Sequence, residues 1–155
     1  ETLSVTVDDQ PPQISINSPT SGFYADNMNI DAGVTDEHVD SSSNVQALIK
    51  DGGSNSSISL SLNGGTWSGS FDTTTVSEGN HTVYVQATDK AGNTNSTLVR
   101  NVRVDNSAPS ISFESPSAGS TLSGDSSFNL TITDSENNGD TSSYDYSIDG
   151  GGYSP

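Results

Sequence analysis

Cysteine is absent, and lysine and arginine together number only 4 in 155 residues. The first absence excludes disulfides and thiol catalysis, although it does not fix the compartment. The second, set against 20 aspartates and glutamates, leaves a net charge of -16. Such a surface repels nucleic acid and anionic membranes. It suits divalent cations or high salt, where screening removes self-repulsion, and it also serves as a plain solubilising coat. No apolar run approaches the roughly 18 residues needed to cross a bilayer, so this window holds no membrane span. No signal peptide is visible, which a stretch beginning inside a module would not include. Leu, Ile, Val and Phe make up about 19% of the chain, just under the level that marks disorder when net charge is high.

What opposes disorder is repetition. The segment VDDQPPQISINSPTSG, Val7 to Gly22, returns as VDNSAPSISFESPSAG, Val104 to Gly119, 97 residues later. Pro12 matches Pro109, Ile14 matches Ile111 and Pro19 matches Pro116 at one offset. That period is too long for one supersecondary unit and suits a small domain. The chain therefore reads as three pieces: 1–9 as the last strand of a preceding module, 10–106 as a complete module, and 107–155 as the first half of a following one.

Within the complete module, apolar residues alternate in short runs, the pattern of half-buried strands. The runs are Ile14-Ile16, Met28 to Val34, Val45 to Ile49, Ile58-Leu60-Leu62, Trp67 to Phe71, Val83 to Ala87, and Val102-Val104. Gly52-Gly53 and Gly64-Gly65 mark hairpin turns. No stretch has a helical period. Short strands at this spacing predict an antiparallel sandwich. The flanks fit the same frame: Leu3, Val5 and Val7 match a last strand, Phe128, Leu130 and Ile132 a second, and Tyr144, Tyr146 and Ile148 a third. Inward positions stay apolar between the copies while loops vary, which is the behaviour of homologous folded modules.

The stretch GNHTVYVQATDKAGNT, Gly79 to Thr94, with the boundary pieces VDDQPP and VDNSAP, resembles the bacterial and archaeal immunoglobulin-like (Big-type) tandem repeats of large cell-surface proteins. The resemblance implies an all-β chain of tandem immunoglobulin-like β-sandwich modules, one complete and two partial. It implies an extracellular or cell-surface location and a function that is structural. Unlike vertebrate immunoglobulin domains, the module has no inter-sheet cysteine pair, and Trp67 follows the fourth strand instead of lying on the third.

Calcium takes hard oxygen ligands from carboxylates, amides and backbone, and such groups concentrate where modules should meet. The expected ligands are Asp36, Asp89, Asn93, Asp105 and Asn106, with an ion bridging Asp36 and Asp89 and others in the linkers, as in cadherin-like proteins. Asp8, Asp9, Glu37 and Asp40 lie nearby, and Asp134, Glu136 and Asp140 recur in the next module. The competing account is that Asp and Asn are simply the usual turn residues. In that account Gly92 supplies a positive φ and Asp89 binds backbone N–H groups within the turn. Asn55, Asn80, Asn95 and Asn129 open N-glycosylation sequons and are expected at exposed positions, mostly in loops; their number is what composition alone produces.

Nothing points to an enzyme. His38, within TDEHVD, has carboxylate neighbours but no nucleophile at a telling spacing, and His81 reads as a packing or turn residue. Serines are many, but none sits in a GxSxG elbow. Neither Lys50 nor Lys90 is placed for a buried Lys–Asn isopeptide bond. Of the aromatics, Trp67 and Phe71 read as core, while Tyr84, out of phase with Val83 and Val85, faces solvent or a neighbour.

The reading is an extracellular structural repeat of a surface layer, filament or stalk, its inter-module contacts stiffened by calcium. Its partners are neighbouring modules of the same or identical chains. Pro11-Pro12 and Ala108-Pro109 limit linker bending. The alternatives are a ligand-binding adhesin or carbohydrate-binding module, which needs exposed aromatics, and a spacer domain of a secreted hydrolase. An unpaired strand invites completion by another chain and hence a homopolymer, but one donated strand would not replace four missing ones, so the chain reads as an excerpt of a longer protein.

Overall fold

A computed structural model describes residues 3–134. The chain divides into two compact units, Glu1–Asn106 and Ser107–Pro155. In the first, the alternating runs become strands β1 (Gln13–Ser18), β2 (Phe23–Tyr24), β3 (Asn27–Thr35), β4 (Asn44–Asp51), β5 (Ser54–Ser59), β6 (Ser61–Asn63), β7 (Thr66–Asp72), β8 (Gly79–Thr88) and β9 (Thr94–Val104). They form a four-stranded sheet in the order β1-β3-β7-β6 and a five-stranded sheet in the order β2-β9-β8-β4-β5. All pairings are antiparallel except β2 with β9. A single 3-10 turn, Thr73–Thr75, leads from β7 towards β8, and the described residues contain no α-helix. The unit is an immunoglobulin-like β-sandwich.

Side chains two apart on a strand share a face, so each run presents one apolar edge to the other sheet. Met28, Ile30 and Ala32 of β3 are buried with Val45, Ala47 and Ile49 of β4 and Val83, Val85 and Ala87 of β8. Trp67 and Phe71 of β7, only 2% and 3% exposed, fill the same core. Between them Gly69 leaves room for Leu60: a Cβ there would lie 2.9 Å from Leu60 Cδ2. The two glycine pairs turn as expected, Gly52-Gly53 between Asp51 and Ser54 and Gly64-Gly65 between Asn63 and Thr66.

Three details depart from the sequence pattern. The run Ile58-Leu60-Leu62 is two strands, because the chain changes sheets at Leu60: Ser59 pairs with Gln46 of β4 and Ser61 with Ser68 of β7. Alternation survives the crossing, so periodicity does not reveal it. Leu62 ends up exposed on β6 instead of in the core. At the other extreme, Leu3, Val5 and Val7 form no strand and are 90%, 72% and 84% exposed. Their counterparts Val102 and Val104 are fully buried because β8 pairs with that stretch; nothing among the described residues pairs with 3–7. Finally, β2 pairs with β9 where no strand was expected.

In the second unit, β10 (Ser110–Ser115) and β11 (Asn129–Thr133) pair antiparallel, with a register shift between Phe113 and Ser115. β1 and β3 pair in the same way, with their shift between Ile16 and Ser18. The repeat in sequence is thus a repeat in strand register. Tyr144, Tyr146 and Ile148, with Glu136 and Asp140, lie outside the described residues.

Because Trp67 fills the core of a module poor in apolar mass, Trp67→Ala is expected to destabilise the first unit by about 3–5 kcal/mol. Urea unfolding followed by circular dichroism checks this; a loss under about 1 kcal/mol would contradict the packing described.

Candidate functional site

The chain reaches the sandwich at the pole where β9 begins and leaves it where β9 ends. With about 3.3 Å per residue, the run Thr94–Val104 separates these proximal and distal poles by the length of the module. The poles also hold the acids. Asp8, Asp9, Asp36, Glu37, Asp40 and Asp89 lie at the proximal pole, and Asp26, Asp51, Asp72, Glu78 and Asp105 at the distal one; among the described carboxylates of this unit only Asp31 lies in the interior of a strand, Asp51 and Asp72 being the last residues of theirs.

The β8–β9 turn organises the proximal pole. Asp89 is buried, and its two carboxylate oxygens accept Asn93 N at 2.8 Å and Asn93 Nδ2 at 3.0 Å. Gly92, with φ 95°, lets the chain double back. The second proton of the Asn93 amide goes to the Asp8 carbonyl at 3.1 Å, and Asn95 Nδ2 donates to the Pro12 carbonyl at 2.8 Å. One asparagine of the turn and one at the start of β9 thus fasten the incoming linker. The same turn holds the β3–β4 loop, since Lys90 N donates to the His38 carbonyl at 3.2 Å and the Lys90 ammonium pairs with Asp40. Inside that loop His38 N donates to Asp36 Oδ1 at 2.8 Å. His38 Nδ1 lies 2.7 Å from Asp8 Oδ2.

Asn106 does the corresponding work at the distal pole. Its Oδ1 accepts Asp26 N and Thr73 Oγ1, both at 2.9 Å. Its Nδ2 donates to the Thr73 carbonyl at 3.2 Å, and its backbone N to Glu78 Oε1 at 3.2 Å. Thr73 is fully buried, so these bonds satisfy groups that water does not reach. Nearby, His81 is buried, with its ring nitrogens 2.7 Å from the Ser77 carbonyl and 3.2 Å from the Lys50 carbonyl.

The expected calcium ligands therefore fall into two groups. Asp36, Asp89 and Asn93 gather at the proximal pole, and Asp105 and Asn106 sit at the distal one. Asp89, Asn93 and Asn106 are engaged in protein hydrogen bonds. Asp8 and His38 belong beside Asp36, although the sequence assigns them no common role. The only local signal is the Asp36-x-His38 spacing, and Asp8 arrives by the fold. The sequon asparagines all lie on strands, not mostly in loops. Asn55, Asn80 and Asn129 are exposed, whereas Asn95 is half-buried, with its amide spent on Pro12. Tyr84 is half-buried on the outer face of the five-stranded sheet. There it lines a shallow groove of about 240 Å³ with Leu48, Lys50, Asn55, Gln86 and Ser96.

Four carboxylates are tuned by these contacts. The Lys90 ammonium and then Ser42 hold the Asp40 carboxyl down at about 2. Ser77 lowers Asp51 and Thr74 lowers Asp72. Burial pushes Asp89 up, but hydrogen bonds from Asn93, Gly92 and Ala91 outweigh it and leave the group lowered. Each of these acids ionises more readily folded than unfolded. Their stabilisation is complete above the ordinary carboxylate range and is lost as pH falls through the lowered values. The melting temperature is expected to hold from pH 7 to about 5 and to drop between about 4 and 2. A calorimetric profile that stays flat to pH 2.5 would refute these pairings.

Residues 33–106 match the family model of the bacterial Ig-like domain. No curated protein matches the chain. The match runs from within β3 through Asn106, taking in the turn and the asparagines that fasten both poles. Over those residues the sandwich is similar to a bacterial Ig-like domain.

Proposed function

We propose that the chain is a structural repeat of an extracellular surface protein, a segment of a surface layer, filament or stalk, in which each sandwich holds the linkers at its two ends. Bacterial Ig-like domains are commonly carried on extracellular proteins and are typically non-catalytic. No helix among the described residues is long and apolar enough to cross a membrane. The observation that carries the reading is the fastening of both linkers at opposite poles, by Asn93 and Asn95 on one and Asn106 on the other. A module built only to present a ligand site has no use for both. Fastened ends pass direction and tension from one module to the next.

Like-charged poles repel in a head-to-tail series, and divalent cations relieve that repulsion. Calcium acts in this reading as a counter-ion of the poles, drawn to Asp36, Asp105 and their neighbours. The amides already supply the hydrogen bonds that shape the turns. Neighbouring modules of the same or identical chains are the partners, and a homopolymer is the assembled form.

Asn106→Ala tests the fastening. It is expected to cost about 2 kcal/mol and, in small-angle X-ray scattering, to broaden the distribution of overall dimensions. Scattering and stability unchanged from wild type would sink the reading. Calcium, compared with chelator at fixed ionic strength, should raise the melting temperature; no difference removes it from the scheme.

A second reading, binding of an uncharged glycan, is favoured by one feature. The outward positions Gln46, Leu48, Lys50, Asn55, Tyr84 and Gln86 include no carboxylate in a chain of net charge -16. Amides, one of them in the 2.7 Å Gln46–Gln86 bond, surround the Tyr84 ring, and rings with polar rims stack on sugars. If this holds, a glycan array gives hits that Tyr84→Ala abolishes; hits indifferent to Tyr84 would discard it.

A further inference from the structure

We propose that Asp8, Asp36 and His38 form a site for a borderline divalent transition-metal ion of the zinc class, which ties the incoming linker to the β3–β4 loop. One carboxylate oxygen from each aspartate and a ring nitrogen of His38 lie within 4.8 Å of one another. A second observation concerns the state of two of these atoms. His38 Nδ1 and Asp8 Oδ2 are both shielded from solvent, yet neither has a hydrogen-bond partner. They are 2.7 Å apart yet form no hydrogen bond with each other. The Asp8 side chain is only 11% exposed. Buried polar atoms are nearly always satisfied, and a cation seated between these two satisfies both at once.

The donor set selects the ion. Calcium wants six or more oxygens and gains little from imidazole, whereas zinc and its neighbours take imidazole nitrogen and carboxylate oxygen together. Zinc ligands at about 2.0–2.2 Å in tetrahedral array stand about 3.3 Å from each other. The observed 2.7 Å contact and the 4.8 Å limit bracket that spacing, so small side-chain rotations complete three corners and water takes the fourth.

The backbone beneath these ligands is fixed in advance. Asn93 Nδ2 holds the Asp8 carbonyl and Lys90 N holds the His38 carbonyl. Gln10 N occupies Asp8 Oδ1 at 3.1 Å, which leaves Oδ2 for the ion. Aspartate 8 belongs to the linker and Asp36 to a loop of the sandwich, so the ion is a removable fastener across a junction that amides already define. Its purpose rests on the structural-repeat reading; its binding does not.

Isothermal titration of the 155-residue chain with zinc chloride, and separately with calcium chloride, tests the site. Zinc should bind saturably, and His38→Gln or Asp36→Asn should weaken the tightest site at least ~10-fold. Cobalt(II) in place of zinc should give visible absorption that His38→Gln removes. Absence of saturable zinc binding, indifference to His38→Gln, or displacement by equimolar calcium would each overturn the proposal. Should the variants unfold, the wild-type histidine rings decide by NMR: zinc must perturb His38 and spare buried His81, and any other pattern counts against the site. Loss of zinc binding alongside an intact Asn106→Ala effect would leave the structural-repeat reading standing.

Discussion

The Asn93 side chain is the contact on which the proximal end of the sandwich depends. An asparagine amide has two N–H donors, and here one goes to the buried Asp89 carboxylate and the other to the Asp8 carbonyl. The first bond, with the backbone bond to the same carboxylate, closes the β8–β9 turn. The second fixes the linker against that turn. An aspartate at position 93 would offer no donor, and its charge would face that of Asp89. The turn in turn holds the β3–β4 loop through Lys90. Remove the amide and the turn, the linker and the loop lose their common reference.

This reliance on polar contacts follows from composition. The core is a single layer of mostly small aliphatic side chains around one tryptophan, enough to hold two sheets together but not to pack loops. The loops are fixed instead by hydrogen bonds from Asn, Asp, Ser and Thr, which cap and turn backbone locally. Asp72 accepting from Thr74 and Asp51 accepting from Ser77 are examples. The acids needed for these turns accumulate at the poles, and the sheet faces are left with few carboxylates. Charge segregation is thus a consequence of how the loops are built.

The strands were legible in the sequence because burial on one face imposes a period of two, and Met28 to Val34 or Val83 to Ala87 admit no other reading. The sheet change at Leu60 was not, since a strand that swaps partners keeps its alternation; the pairing of Ser59 with β4 and of Ser61 with β7 reveals it. Asp89 was legible as a turn residue from DKAGN. The grouping of Asp8 with Asp36 and His38 was not, because it joins positions far apart in sequence through a fold that periodicity describes only in outline. Asn106 illustrates a different limit. Asparagine in a linker suggests an oxygen ligand, but its amide both accepts and donates, and the neighbouring groups decide which capacity is used. Buried Thr73 and the Asp26 N–H demanded both.

The two linker pieces divide this labour by position. Asp8 and Asp105 are counterparts in the repeat, as are Asp9 and Asn106. Asp8 reaches forward, onto the sandwich that follows it, and needs only to present oxygens: its carbonyl to Asn93 and its carboxylate to Gln10 and His38. Asn106 reaches back, onto the sandwich it leaves, and must donate as well as accept. Asp9, at the position of Asn106, has no donor in its side chain and, among the described residues, accepts from the exposed neighbour Gln10. The sandwich thus takes an acceptor from the chain at its entry and an amide from the chain at its exit.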